Sequence, residues 1–225
     1  MAVPVPGLVA VAGGKYTTYR VMARDAVDAV ARGLDRAVPP SVTATIELHG
    51  ASGFRALWNR RERIAEAGGL HVARIEHLLS RFGAAIDDLL ELVRARPELG
   101  RPLPGADDYL AVEVVYAASH EAALHLDDVL TRRTRISIET WDRGVEAAEP
   151  AARLMAEVLG WDEDRIAREV DVYHARVAAE RRSQEQPDDR AADLARTAAP
   201  DARPPVSAPA AGTAAGTGSP PPGRP

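Results

Sequence analysis

The chain has 225 residues, of which 46% are hydrophobic, 27% charged and 4% aromatic, with a formal net charge of −5 and a pI near 5.7. That acidic balance argues against nucleic-acid binding, whose affinity rests on a basic face, and the absence of cysteine removes disulfides, thiolate metal sites and thiol nucleophiles. The longest apolar run falls far short of the roughly 20 residues that cross a bilayer, and it lacks the basic leader of a signal peptide.

Residues 7–12, Gly-Leu-Val-Ala-Val-Ala, are apolar on both faces and read as an interior strand of a sheet whose neighbours are not in this sequence. A Gly13-Gly14 turn follows. Thr17 or Thr18 then caps a helix carrying Tyr19, Met22, Ala26 and Val30 at helical spacing, ended by Gly33. Pro39 and Pro40 mark a connection. From Phe54 the sequence becomes a series of amphipathic helices. Phe54, Leu57 and Trp58 open the first, and Gly68-Gly69 close it. Val72, Ile75, Leu79 and Phe82 line the second, up to Gly83, while Ile86, Leu89, Leu90 and Val93 line a third that stops before Pro97. Pro102, Pro104 and Gly105 read as a loop.

The block from 108 to 133 keeps no single apolar phase and reads as either one bent helix or two short ones. A short extended piece is expected from Ile136 to Glu139. Ala148, Ala152, Met155 and Leu159 give a further helix ended by Gly160, and Asp162 caps a last one with Ile166, Val170, Tyr173 and Val177 on its apolar side. Nine of the 17 prolines lie from Pro187 onward, among Ala, Gly and Thr and without an aromatic residue. Such a stretch cannot bury enough surface to offset its ordering entropy and is expected to be disordered.

The residue that stands out chemically is Lys15, the single lysine among 28 Lys and Arg residues. It sits in Gly13-Gly14-Lys15-Tyr16-Thr17-Thr18-Tyr19-Arg20, where a strand enters a glycine turn and then a helix. Backbone amides and a helix N-terminus at such a place can face an anionic ligand, and an ammonium adds to that field. Arg132, Arg133 and Arg135, which follow Asp127 and Asp128, suit either a phosphate fork or intramolecular ion pairs, and the nearby acids favour the pairs. His120 and His125 are five apart, about 140° around a helix, so they do not form the zinc-protease pair; no metal site is expected. Asp87-Asp88 and Asp107-Asp108 sit where helix starts are expected, and capping explains them.

The octet from Gly13 to Arg20 resembles the last strand-turn-helix of the FAD-binding domain in FAD-dependent glycerol-3-phosphate dehydrogenases. Glu113-Val114-Val115-Tyr116-Ala117-Ala118-Ser119-His120-Glu121 and Leu126-Asp127-Asp128-Val129-Leu130-Thr131-Arg132-Arg133-Thr134-Arg135 resemble the signature of that family's helical C-terminal domain, the alpha-glycerophosphate oxidase C-terminal domain. The resemblance covers about residues 7 to 185. It implies a mainly α chain: residues 1–34 as a remnant β-turn-α of an FAD-binding domain, 35–51 as a connection, 52–185 as a helical cap domain and 186–225 as a disordered tail.

No G-x-G-x-x-G unit for the FAD pyrophosphate follows a strand here. The chain is therefore expected to be a C-terminal fragment, inactive alone. The complete enzyme would oxidise sn-glycerol 3-phosphate to dihydroxyacetone phosphate, passing hydride to flavin and electrons to a quinone. Gly13, Gly14, Lys15, Thr17 and Thr18 would line the FAD, with Lys15 also serving catalysis beside the substrate phosphate or the flavin ring. FAD would not be held by this chain alone. The implied partners are the missing FAD-binding domain or a separate flavin-binding chain, with no nucleic acid and no transmembrane segment. The implied location is cytoplasmic, with peripheral contact at the inner membrane face. A subunit of a split flavoenzyme and a non-catalytic helical interaction module are the alternative readings.

Overall fold

A computed structural model describes residues 2–5 and 7–203. The chain divides into two compact units, Met1–Asp87 and Asp88–Pro225.

In the first unit, strands β1 (Ala2–Val5) and β2 (Leu8–Ala10) form an antiparallel hairpin turned at Gly7, with Ala2 opposite Ala10 and Val5 opposite Leu8. The apolar run at 7–12 is thus a strand, as expected. Its neighbour, however, is the chain's own N-terminus, and neither Leu8 nor Val11 is buried. After one 3-10 turn at Tyr16–Thr18, α1 (Tyr19–Ala31) begins. Three more helices follow: α2 (Phe54–Asn59), α3 (Arg61–Gly68) and α4 (Val72–Phe82). The break between α2 and α3 falls at Arg60. There Arg61 donates to the Trp58 carbonyl (3.1 Å) and pairs with Glu76 (2.6 Å), tying α3 to α4.

Gly69 ends α3 in the left-handed conformation, and the His71 ring accepts the Ala73 amide to cap α4. Ile75, Leu78, Leu79 and Phe82 bury one face of α4, the stripe that its 3-4 spacing foretold. Upstream of these helices the packing is thin. From Val5 to Ile64 no described side chain is buried.

The second unit contains most of the core. Helix α5 (Ile86–Ala95) runs across the division between the units, buries Leu89, Leu90 and Val93, and stops before Pro97. The stretch expected to be a loop is a hairpin instead, β3 (Pro102–Leu103) and β4 (Ala106–Leu110), paired Pro102 to Leu110 and Leu103 to Ala106. Pro102 is tolerated because it opens its strand. Asp107 and Asp108 lie exposed in β4 and cap no helix. The 108–133 block resolves into α6 (Ala111–His120), buried continuously from Ala111 to Ala118, and a π-helical turn over Asp128–Arg133.

Ile136–Glu139 is a single helical turn, α7, not an extended piece. It is held because the Tyr109 hydroxyl donates to Glu139 (2.6 Å) and accepts the Arg135 amide (3.1 Å), a non-local arrangement that overrides the β-branched composition. Helix α8 (Val145–Leu159) packs on α6 and on α9 (Glu163–Gln184), and the Asp162 carboxylate caps α9 at the Arg165 amide (2.8 Å). Within the span expected to be disordered, Asp189–Thr197 forms α10, capped by Asp188 and packed along α9. The 204–225 part of that expectation lies outside the described residues.

Two positions test this packing. Gly105, at φ +78°, turns the β3–β4 hairpin so closely against α8 that a Cβ there would lie 2.6 Å from the Ala147 nitrogen and 2.7 Å from the Glu146 carbonyl carbon. Backbone cannot yield as a flexible side chain can, so Gly105→Ala is expected to cost more than about 1 kcal/mol, read as a lower Tm; a wild-type Tm would contradict the contact.

Burial alone would raise the Asp142 carboxyl, but hydrogen bonds from the Glu146 amide (2.6 Å) and the Gly144 amide (2.9 Å) outweigh it and hold the group below its ordinary range. A lowered folded value means stability that is present above the unfolded value and lost as pH falls through the folded one. The Tm gap between wild type and Asp142→Asn is expected to be full above about pH 4 and to close below it. A gap that persists unchanged into strong acid would contradict this.

Candidate functional site

The glycine turn and Lys15 lie between β2 and α1. Gly13 (φ +77°) and Gly14 (φ +123°) take conformations that side chains disfavour, and a Cβ on Gly14 would meet the Met22 sulfur at 2.3 Å. Lys15 is extended. Its carbonyl accepts both the Thr18 amide and the Thr18 hydroxyl at 3.0 Å, which folds the 3-10 turn over it. The Lys15 ammonium makes no ion pair among the described residues, and Gly13, Gly14, Lys15, Thr17 and Thr18 are all exposed. The structure therefore brings the five expected ligand-facing residues together as one open turn. Thr18 is the exception to their expected use, since its hydroxyl is committed to Lys15 and to a 3.6 Å contact with the Met22 sulfur.

A second constellation, in the other unit, is built around the segment from Leu124 to Arg135. Its centre is Glu169 of α9, only 1% exposed, whose carboxylate accepts the Leu126 amide (3.0 Å) and pairs with the His125 ring (2.9 Å) and with Arg165 (2.6 Å). One turn further along α9, Tyr173 donates to the Arg143 carbonyl (2.6 Å). Burial, with the Glu180 charge beside it, pushes its phenol well above the ordinary range, so it stays a neutral donor.

Next on the same face, Arg176 pairs with Asp127 and with Glu180 (3.1 Å), and Glu180 in turn binds Arg143 (2.7 Å). Asp128 caps the segment by accepting the Leu124 (3.2 Å) and His125 (3.1 Å) amides. Within the π-helical turn the Val129 carbonyl takes both the amide (2.8 Å) and the hydroxyl (2.7 Å) of Thr134.

Two of the three arginines, Arg132 and Arg135, follow the ion-pair reading. Arg132 pairs with Asp127 and Asp128, Arg133 donates to the Glu121 carbonyl (2.9 Å), and Arg135 pairs with Glu139 (3.2 Å). His120 and His125 go to different partners: His120 stacks on Tyr116 (4.5 Å between rings) and contacts the Ser119 hydroxyl (2.7 Å). Glu169 was not anticipated from sequence. A carboxylate beside the apolar stripe of an amphipathic helix reads as a solvated residue unless its partner, 44 positions away, is known.

This buried scaffold around the Leu126–Arg135 signature defines the second unit as a specialised helical domain. The family described as the C-terminal domain of alpha-glycerophosphate oxidase matches residues 41–166, more than half the chain, and the chain belongs to that family. It is 53% identical over 194 residues to glycerol-3-phosphate dehydrogenase of Mycobacterium leprae (strain TN), a match that covers 86% of this chain and 33% of the relative. It is 52% identical over 194 residues to glycerol-3-phosphate dehydrogenase 2 of Mycobacterium tuberculosis (strain ATCC 25618 / H37Rv), with the same shares. Against glycerol-3-phosphate dehydrogenase of Synechocystis sp. it is 35% identical over 173 residues, 76% of this chain and 31% of the relative. The chain thus spans about a third of the length of the curated relatives it matches. No solved structure matches it. Among the described residues, no helix is long and apolar enough to cross a membrane.

Removing charge from the buried acceptor tests the scaffold. Glu169→Gln keeps the volume but strands His125 and Arg165, and breaking a buried pair of this kind costs about 3 kcal/mol. The expected result is a clearly lower Tm with faster hydrogen exchange at Leu126; an unchanged Tm would show that the carboxylate does not hold the segment.

Proposed function

We propose that this chain supplies the helical cap domain and one edge of the ligand site of an FAD-dependent glycerol-3-phosphate dehydrogenase. In this reading residues 1–34 belong to the flavin-binding domain, 35–51 are a connection and 52–185 are the cap. The observation that carries it is the combination, in one chain, of a 53% identical match to a glycerol-3-phosphate dehydrogenase and an open Gly-Gly-Lys turn whose ammonium has no protein partner among the described residues.

The residues fit one edge of a flavin-and-phosphate site. FAD, when bound, supplies the acceptor for the hydride of the substrate's secondary alcohol. The chain's part is to position and stabilise. Gly13 leaves open space for close backbone approach, and Thr17 offers a hydroxyl at the helix start. Lys15 provides a cation for a phosphate or for negative charge on the bound ring. Its freedom from ion pairs supports this, because a lysine held by a carboxylate would have to surrender that partner first.

The exposed apolar surface from Val5 to Leu48 supports a covering layer that this chain does not provide. Leu8 and Val11 are exposed, and Tyr19, Val27, Ile46 and Leu48 are exposed around one groove, the kind of apolar surface that marks an interaction face. We assign it to the nucleotide-binding part of the enzyme, supplied in the same polypeptide or as a second chain. Quinone as the electron acceptor, and a peripheral position at a membrane, belong to the same proposal.

The test joins this chain to the N-terminal two thirds of the Mycobacterium leprae relative. The expected product is yellow and is bleached by glycerol 3-phosphate, whereas Lys15→Met lowers kcat/KM by about a hundredfold, the scale of losing one oriented charge contact, with Tm unchanged. Equal kinetics for the two proteins would remove Lys15 from the site. A colourless, correctly folded fusion would overturn the flavoenzyme reading.

A further inference from the structure

Helix α10 and the residues after it do more than extend α9. Past a turn at 185–188, α10 runs back along α9, and Ala199–Arg203 then crosses to the signature segment. There Arg203 pairs with Asp128 at 3.0 Å, across 75 residues of sequence. The Asp201 carboxylate accepts the Arg203 amide (2.9 Å) and lies 3.3 Å from its guanidinium, which shapes the crossing. Between this crossing and the scaffold is a cavity of about 240 Å³. His125, Asp127, Glu169 and Tyr173 form its inner wall, and Arg196 and residues 199–203 close its outer side.

The inner wall and the outer one are held by different forces. The inner wall is fixed by buried hydrogen bonds and pairs on Glu169, Tyr173 and Asp127. On the outer side, α10 has no buried side chain and Leu194 is 63% exposed. The ion pair from the strap to the signature segment is Arg203–Asp128, whose side chains are 42% and 15% exposed, and the Asp201 carboxylate also feels the His125 ring. A pair that open to water contributes little and is screened by salt. The segment is therefore a weakly fastened strap over a rigid polar wall. The wall segment from His125 to Arg133 lies inside the family match at 41–166, and the strap lies beyond it.

We propose that residues 188–203 are a salt-releasable strap that closes the cavity over His125, Asp127, Glu169 and Tyr173, with Arg203 on Asp128 as its latch. Asp128 needs no strap to keep its own shape, because Arg132 (3.2 Å) and the Leu124 and His125 amides stay bonded to it when Arg203 leaves. Opening should therefore expose the cavity without unfolding the scaffold.

Hydrogen-exchange mass spectrometry on the full chain tests this, with peptides spanning 188–203 and the wall at 124–133. Arg203→Gln is expected to speed exchange across 188–203 several-fold in low salt, while 124–133, whose amides keep their bonds, stays protected. Raising NaCl from about 0.02 to about 1 M should bring the wild type to the same rates, since the screening length falls several-fold. The Tm should stay within a degree or so of wild type, because no buried apolar surface is lost. A chain ending at Gln186 should exchange at the wall like Arg203→Gln. Wild-type exchange across 188–203 in Arg203→Gln, or exchange there in the wild type that does not respond to salt, would overturn the proposal. So would a large Tm loss in Arg203→Gln, which would make the contact part of the scaffold.

Discussion

The carboxylate of Glu169 is surrounded by protein and carries a charge that water would otherwise solvate. Such a group is tolerated only when its oxygens are bonded and its charge is balanced. Here one amide, one imidazole and one guanidinium do this together. The requirement runs both ways, since Leu126 and His125 cannot reach Glu169 unless α9 lies against the 124–133 segment, and α9 cannot bury Glu169 anywhere else. From that point the other contacts follow along the same face of α9. Tyr173, Arg176 and Glu180 follow Glu169 by four, seven and eleven residues, the spacing of one helical face. Each meets a partner on the segment or on the approach to α8.

Elements set by local signals were legible in the sequence. Helices α4, α5, α8 and α9 appear where their apolar spacing and end signals place them, and Asp162 caps α9 as read. The preference of the arginines near 132 for acidic partners was legible too, because Asp127 and Asp128 lie only one turn away. What escaped depended on distant residues. The β3–β4 hairpin is a pair of very short strands interrupted by proline and glycine, a composition that locally says loop. The turn at Ile136 is decided by Tyr109, and α10 is ordered along α9 although it buries no side chain of its own. Glu169 belongs with these: its own neighbourhood gives no hint of burial.

The first unit follows a different rule. Its helices α3 and α4 bury side chains from Ala65 onward, while the described side chains of the hairpin, the glycine turn and α1 are not buried. An apolar strand whose one paired neighbour is a short terminal segment has an unsatisfied edge, and such edges pair readily with other strands. The sequence reading of residues 7–12 as an interior strand and the structure's exposed hairpin are thus two statements about one property. The composition is that of a covered strand, and among the described residues nothing buries it.

The arginine bias of the chain is put to use in the second unit. Several of its arginines bridge two carboxylates: Arg96 holds Glu98 and Glu157, Arg153 holds Glu149 and Glu163, and Arg176 holds Asp127 and Glu180. A planar guanidinium with five donors serves such bridges with little loss of freedom per bond, whereas an ammonium is a compact point charge on a flexible stem. A scaffold assembled from bridged carboxylates therefore has use for arginine and little for lysine. Against that background the single lysine makes no such bridge among the described residues. Lys15 stands on an open turn with no carboxylate partner among the described residues, which is the physical ground for the proposal that it serves a ligand.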